Sequence, residues 1–213
     1  MTLTCAGQDE VESIRLLGLF IDNKLTYRKH TEIVRGRLKA KIEALEKVQG
    51  KASLNTMKEV TVALVHSTIE FMAELYLRDV TNQKRIQKML NDAMRMLLDK
   101  PVGDSCTEML NTLGWLNVAN MYRWVCIRTM RRMKDGPGMM PETHSKLKLN
   151  EDPERNLRYN SLKLDWKVNT KWTRESYIAS AVNLHNELGL QGRLFANKED
   201  ARDQIKSSIV SSF

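Results

Sequence analysis

The residues of this chain best placed to do chemistry are cations arranged at helical spacing. Between residues 28 and 51 stand Arg28, Lys29, Arg35, Arg37, Lys39, Lys41, Lys47 and Lys51 against Glu32, Glu43 and Glu46, a local balance of +5. Further on, Arg123, Arg128, Arg131, Arg132 and Lys134 meet no acid until Asp135. At ~100° per residue Arg123, Arg131 and Lys134 fall within about 80° of one another on a helix. Cations in one arc can neutralise the phosphates of a nucleic acid lying along the helix. Each group also has a plain alternative. Glu32–Arg35, Lys39–Glu43 and Glu43–Lys47 sit at the i,i+3 and i,i+4 spacings that support a solvated helix. Cations also collect near a helix C-terminus because the macrodipole favours them there.

Other constellations are weak. His30, His66, His144 and His185 lack metal-ligand spacing and a sequence-adjacent Cys or Asp. Cys5, Cys106 and Cys126 are scattered and odd in number, which argues against zinc and for reduced thiols. Trp166 and Trp172 alternate with Lys163, Lys167, Lys171 and Arg174, a pattern that either stacks bases or fills a small core. The 12 methionines read as core gap-fillers.

The whole chain has 213 residues, 34 Lys and Arg against 26 Asp and Glu, and a net charge of +8. That excess suits a polyanionic partner, nucleic acid before an anionic membrane surface. No signal peptide is recognisable, and the most apolar stretch, Val60 to Leu77, is interrupted by His66, Glu70 and Glu74. An intracellular protein, nuclear or cytoplasmic, without a membrane span is expected.

The elements that must position these cations follow from periodicity. Val11, Ile14, Leu16, Leu17, Leu19 and Ile21, punctuated by Gly18, predict a short hairpin or bulged strand, and Asp22-Asn23 a turn. Val34, Leu38, Ile42, Leu45 and Val48 predict a helix from His30 to Gln49 that stops at Gly50. Ser53 is expected to cap a second helix running to about Leu77, with Met57, Val60, Leu64, Thr68, Phe71, Met72 and Leu75 inward. A third begins near Asn82, and its Ile86, Leu90, Ala93 and Leu97 form a 4-3-4 seam, either core or partner-binding. Thr107–Leu113 and a helix from Asn117 through Met133 follow. Gly136-Pro137-Gly138 and Glu151-Asp152-Pro153 mark 135–156 as a linker. Beyond it, 157–171 reads as partly β, 176–188 as helical and 198–210 as a marginal last helix.

Five segments, in order, resemble the thumb and following region of non-LTR retrotransposon reverse transcriptases of the jockey, CR1 and RTE-like kind. The first is Leu17-Gly18 with Ile21-Asp22, Leu25, Tyr27 and His30; the family commonly has Trp where Tyr27 stands. The second is Ala63 to Tyr76, where Phe71-Met72 occupies the family's Tyr-Gly. The third is Ile86 to Leu98 with Arg95, and the fourth Leu113-Gly-Trp-Leu116 with the helix after it. The fifth, Tyr177 to Leu188, has His185 and Gly189 where the family shows Trp and Pro. The resemblance implies that the family's aromatic-x-Asp-Asp catalytic strand lies upstream of Ser13, since no adjacent Asp-Asp pair occurs in the chain. Polymerisation needs carboxylates that hold two Mg²⁺ ions, so the chain alone is expected to be neither a polymerase nor a metal binder. The Mg²⁺ would belong to the palm.

The reading is therefore a mainly α protein: a palm remnant with a primer-grip-like hairpin over 1–29, a helical thumb-like domain over 30–134, the linker, and a small mixed C-terminal region over 157–213. Its expected function is non-catalytic template–primer binding within an RNA-directed DNA polymerase. Leu17, Gly18, Lys24, Arg28, Lys29, Arg35, Lys39, Arg123, Arg131 and Lys134 are the candidate contacts, and an RNA/DNA duplex the partner. The alternatives are an α-helical protein-interaction module and an inactive, decayed element fragment.

Overall fold

The apolar run broken at Gly18 forms a two-stranded antiparallel hairpin, β1 (Ser13–Leu16) and β2 (Leu19–Asp22), in the computed structural model of the chain. The structure describes residues 12–135, 147–149, 162–164 and 177–190, with side chains for 12–130, 178–184 and 186. Leu17 (φ 48°) and Gly18 (φ 88°) close the hairpin, both left-handed. That is the two-residue turn whose twist matches the strands. The helices follow: α1 (Arg28–Glu46), α2 (Leu54–Thr61), a π-helical segment (Val62–His66), α3 (Ser67–Glu70), α4 (Ala73–Tyr76), α5 (Val80–Leu98), α6 (Cys106–Leu113) and α7 (Val118–Asp135). The chain is mainly helical with the hairpin first, as its periodicity predicts. Among the described residues no helix is long and apolar enough to cross a membrane.

Contacts divide the chain into two compact units, Met1–Ala119 and Asn120–Phe213. In the second, β3 (Leu147–Leu149) pairs antiparallel with β4 (Leu162–Leu164), and α8 (Tyr177–Leu190) contacts β4. Strand β3 lies within the stretch expected as a linker. The expected helix at 198–210, and Trp166 and Trp172, lie outside the described residues.

The core of the first unit is α1 along α5. Val34, Leu38, Ile42 and Leu45 are buried from one side, and Ile86, Leu90, Ala93, Met94 and Leu97 from the other. The 4-3-4 seam is thus internal packing, and Val48, expected on the stripe, is 42% exposed because α1 ends two residues before it. Capping follows sequence closely. Ser53 Oγ accepts from Thr56 N at 3.2 Å, Asp79 Oδ1 from Thr81 N at 2.7 Å and Ser105 Oγ from Glu108 N at 3.4 Å. Gly114 (φ 64°) ends α6. The N-terminus of α7 is satisfied from a distance, Val118 N donating to Gln87 Oε1 at 2.8 Å.

The second predicted helix needs correction. It does not run unbroken to Leu77; before the break its buried residues are Met57, Thr61, Val65 and Ile69, at intervals of four, and after it Ala73, Tyr76 and Leu77 are buried. Of the expected inward set only Met57 is buried; Val60, Leu64 and Phe71 are exposed. An α-helix turns every 3.6 residues, so a period of four drifts by about 40° per step. The wide turns of the π segment absorb that drift and keep one stripe on the core. Near it Thr68 Oγ1 and Lys41 Nζ both donate to Leu64 O, at 2.7 and 3.1 Å.

The helix then breaks at Phe71-Met72, where Met72 sits left-handed (φ 55°, ψ 26°). Tyr76, fully buried, donates its hydroxyl to Ile69 O at 2.7 Å across this break. Its ring meets His30 edge-on, with centroids 5.0 Å apart. Asn82 Nδ2 donates to Tyr76 O and to Thr26 O, each at 2.9 Å. His30 Nδ1 accepts from Phe20 N at 3.5 Å, which ties β2 to α1.

Two predictions follow from these buried groups. Burial, and then the nearby Arg37 charge, lower the His30 pKa from 6.5 to about 4, so the native ring is neutral. Above the unfolded value neither state binds the proton. As the pH falls from 6.5 towards 4 only the unfolded chain takes it up, and stability is lost across that window. Urea unfolding should show about 2 kcal/mol less stability near pH 5 than near pH 7.5. The loss should be absent in His30→Gln. Separately, Met72→Gly should raise stability by about 1 kcal/mol, because glycine adopts the left-handed backbone without the Cβ clash. A lower urea midpoint in that variant would contradict the strain assigned here.

Candidate nucleic-acid interface

The entry to α1 is built by one carboxylate. Asp22 accepts from Lys24 N (3.1 Å), Thr26 N (2.9 Å), Thr26 Oγ1 (3.0 Å) and Tyr27 N (2.7 Å). Tyr27, the residue before α1, makes no side-chain cap of its own, so Asp22 gathers the N–H groups ahead of the helix. Burial alone would raise the Asp22 pKa, but the bonds from Thr26, Tyr27 and Lys24 outweigh it and the net shift is downward. Leu25 (φ 53°) and Tyr27 (φ 55°) are both left-handed in this tight loop.

Beside the loop lies an open groove of about 360 Å³ lined by Glu12, Ser13, Asp22, Asn23, Lys24, Thr26, Arg28 and Lys29. Three predicted contacts, Lys24, Arg28 and Lys29, come together here. Lys29 Nζ donates to Ser13 Oγ at 2.8 Å and stands 5.5 Å from the Phe20 ring centroid, and Arg15 is 5.9 Å from the same ring. The Asp22 carboxylate, spent on backbone N–H groups, is a weak competitor for these cations.

Along α1 the cations divide by partner. Arg35 pairs with Glu32 at 2.7 Å, and Glu32 is shared with Arg85 of α5 at 3.2 Å. Lys39 pairs with Glu43 at 3.7 Å. These two predicted contacts belong to the solvated, paired face. Lys41 is tied to Leu64 O and to Thr68 Oγ1 (2.5 Å). Arg28, Arg37 and Lys47 form no ion pair with any described residue. At ~100° per residue, Lys29, Gly36, Ala40, Ala44, Lys47 and Arg37 occupy an arc of about 100° that contains no acid. Gly36, Ala40 and Ala44 are exposed, and a Cβ placed on Gly36 would meet nothing within 4 Å. Half-buried Ile33 shares the arc near Lys29, and beyond it Gly36, Ala40 and Ala44 form a shallow, small-residue strip with Arg37 and Lys47 beside it and Glu43 about 20° outside it. Arg37 and Lys47 were not among the predicted contacts; an angular plot of charge along α1 would have selected them over Arg35 and Lys39.

Leu17 and Gly18 lie at the hairpin tip, apart from the groove at its open end. Leu17 is 81% exposed, and the Phe71 ring lies 3.6 Å from where a Gly18 Cβ would be. Arg123 is half-buried with interactions of its own, and the side chains of Arg131 and Lys134 lie outside the described residues. Among the described residues no group of three or more His, Cys, Asp or Glu could hold a metal ion. No protein-family model, curated protein or solved structure matches the chain.

Because Asp22 satisfies donors that α1 and its loop cannot, Asp22→Ala should destabilise the first unit by about 1–2 kcal/mol. The carboxylate's native pKa is below the unfolded one, so its contribution is present above the unfolded value and disappears as pH falls through the native value. Thermal unfolding of Asp22→Asn should therefore converge with wild type in strong acid; a constant gap at all pH would exclude the charge as the cause.

Proposed function

We propose that this chain is a nucleic-acid-binding, non-catalytic part of a retrotransposon-type RNA-directed DNA polymerase, holding a template–primer duplex along α1. The observation that carries this reading is the acid-free arc of α1. A polyanion needs cations without competing carboxylates, and it needs them beside a surface low enough for its backbone to reach. Lys29, Arg37 and Lys47 supply the first requirement, and Gly36, Ala40 and Ala44 the second. Glycine within a helix costs about 0.5–1 kcal/mol relative to alanine, and at Gly36 no neighbouring side chain of the protein explains it. Lys29, which belongs to the arc, also lines the groove that holds Lys24 and Arg28 at the entry to α1.

Met72 supports the family resemblance. The position where that family shows glycine has a left-handed backbone here, the conformation for which glycine is suited. Under this reading the chain by itself does not polymerise, and any Mg²⁺ belongs to a palm.

Binding to an RNA–DNA hybrid across a salt series tests the proposal. The logarithm of affinity should fall linearly with that of salt, and changing Lys29, Arg37 and Lys47 together to Gln should flatten the slope by about 2–3. Arg35→Gln with Lys39→Gln should alter it far less, because those cations are already paired. Gly36→Phe should weaken binding without unfolding α1. Absence of binding at low salt, or an affinity indifferent to salt, would sink the proposal.

A further inference from the structure

The hairpin has one open edge. Leu16 and Leu19 flank a two-residue turn, so that pair and the Ile14–Ile21 pair exchange the hydrogen bonds inside the hairpin. The N–H and C=O groups of Ser13 and Arg15 therefore point away from β2, and those of Phe20 point away from β1. The outer side of β2 is occupied, since Phe20 N donates to His30 Nδ1 at 3.5 Å and β2 packs on α1. Among the described residues no strand pairs with the outer side of β1. Such an edge is a template for a further strand.

The side chains along the edge indicate which strand. Alternation puts Ser13 and Arg15 on one face with Phe20, and Ile14 and Leu16 on the other with Leu19 and Ile21. On the first face Arg15 is exposed and forms no ion pair among the described residues, and Lys29 Nζ is held on Ser13 Oγ at 2.8 Å. Lys24 and Arg28 extend the positive charge at the open end of the hairpin. The acids there are Glu12, ahead of the strand, and Asp22, whose oxygens are already engaged by Lys24, Thr26 and Tyr27. On the second face Leu16 is 55% exposed although its cross-strand neighbour Leu19 is buried. A second copy of β1 is a poor occupant. Antiparallel pairing centred on Ile14 or on Arg15 sets the two Arg15 side chains diagonal or opposite to each other, where like charges destabilise a sheet. A phosphate backbone is no better, because the outward carbonyls of Ser13 and Arg15 need N–H donors and phosphates offer only acceptors.

We infer that the outer edge of β1 docks an extended segment of a partner protein by strand addition, a segment in which acidic residues alternate with apolar ones. Its main chain pairs with Ser13 and Arg15, its carboxylates meet Arg15 and Lys29, and its apolar side chains cover Leu16. The inference is independent of the nucleic-acid reading, which concerns α1.

The test titrates the full chain into a labelled short peptide that alternates glutamate and valine, read by fluorescence anisotropy. Saturable binding is expected, and N-methylation of alternate peptide residues, which removes the donors that meet β1, should weaken it on the order of tenfold or more. Amide exchange at Ser13 and Arg15 should slow when the peptide is bound. Replacing glutamate by lysine in the peptide should abolish binding to wild type, and Arg15→Glu should reverse that preference. The peptide comparisons on wild type decide the matter if the variant folds poorly. Absence of binding overturns the inference. So does binding that follows peptide charge but ignores N-methylation, since the cations would then serve any polyanion. Protection of Ser13 and Arg15 that rises with protein concentration in the absence of peptide assigns the edge to a second copy and also overturns it.

Discussion

The buried contact between Tyr76 and its neighbours holds the first unit in one arrangement. A helix that breaks after Glu70 leaves the carbonyl of Ile69 in an apolar interior, where an unpaired acceptor costs about 1–3 kcal/mol. The Tyr76 hydroxyl fills that role from seven residues on, and burial keeps the phenol protonated by pushing its pKa upward. Because the ring must lie where it can reach Ile69, it also meets the His30 ring in a T-shaped contact. His30 in turn fixes the backbone of Phe20, and Asn82 fixes the carbonyls on either side. The hairpin, the entry to α1, the helix break and the start of α5 are thus one polar network inside an apolar shell. Its members are paired except His30 Nε2, which is buried without a hydrogen-bond partner among the described residues, and because an unpaired polar group costs more in such surroundings the network constrains geometry more sharply than the aliphatic core around it.

That network decides what the surface can offer. By holding the hairpin on α1 it brings Lys24, Arg28 and Lys29 to one groove and aims the strip of Gly36, Ala40 and Ala44 along the same helix. By breaking the chain at Met72 it turns Phe71 outward. Charge is sorted on the same principle of satisfaction. Cations that find a carboxylate, such as Arg35 and Lys39, stabilise the fold modestly, and Arg28, Arg37 and Lys47 form no ion pair among the described residues.

The parts of this architecture written in local patterns were legible in advance. Alternation around Gly18 announced the hairpin, the stripe Val34, Leu38, Ile42 and Leu45 announced α1, and Ser53 marked the start of α2 by its capping chemistry. The second helical run was misread because a heptad-like choice of apolar residues, Val60, Leu64 and Phe71, competes with a four-residue one, Thr61, Val65 and Ile69. Only the cost of burying specific side chains against α1 and α5 decides between them. Asp22 was legible as a turn residue but not as the acceptor of four hydrogen bonds, since that depends on the loop's path. Among the cations of α1, spacing alone named Glu32 and Glu43 as partners of Arg35 and Lys39, whereas the sharing of Glu32 with Arg85 depends on how α5 packs on α1.

The double donation by Asn82 has a bearing on the order of assembly. Its amide joins residue 26 to residue 76, yet it lies on α5 and is separated from Thr26 of the entry loop by 56 positions of chain. Loop closure over that distance must precede any reward from the contact. The bonds of Asp22 to residues 24, 26 and 27 span no such loop, so the Asn82 contact adds a long-range tie to an entry loop that is shaped locally. A chain cut before residue 82 would keep the cations of α1 but lose both the Asn82 tie and the α5 face on which α1 packs.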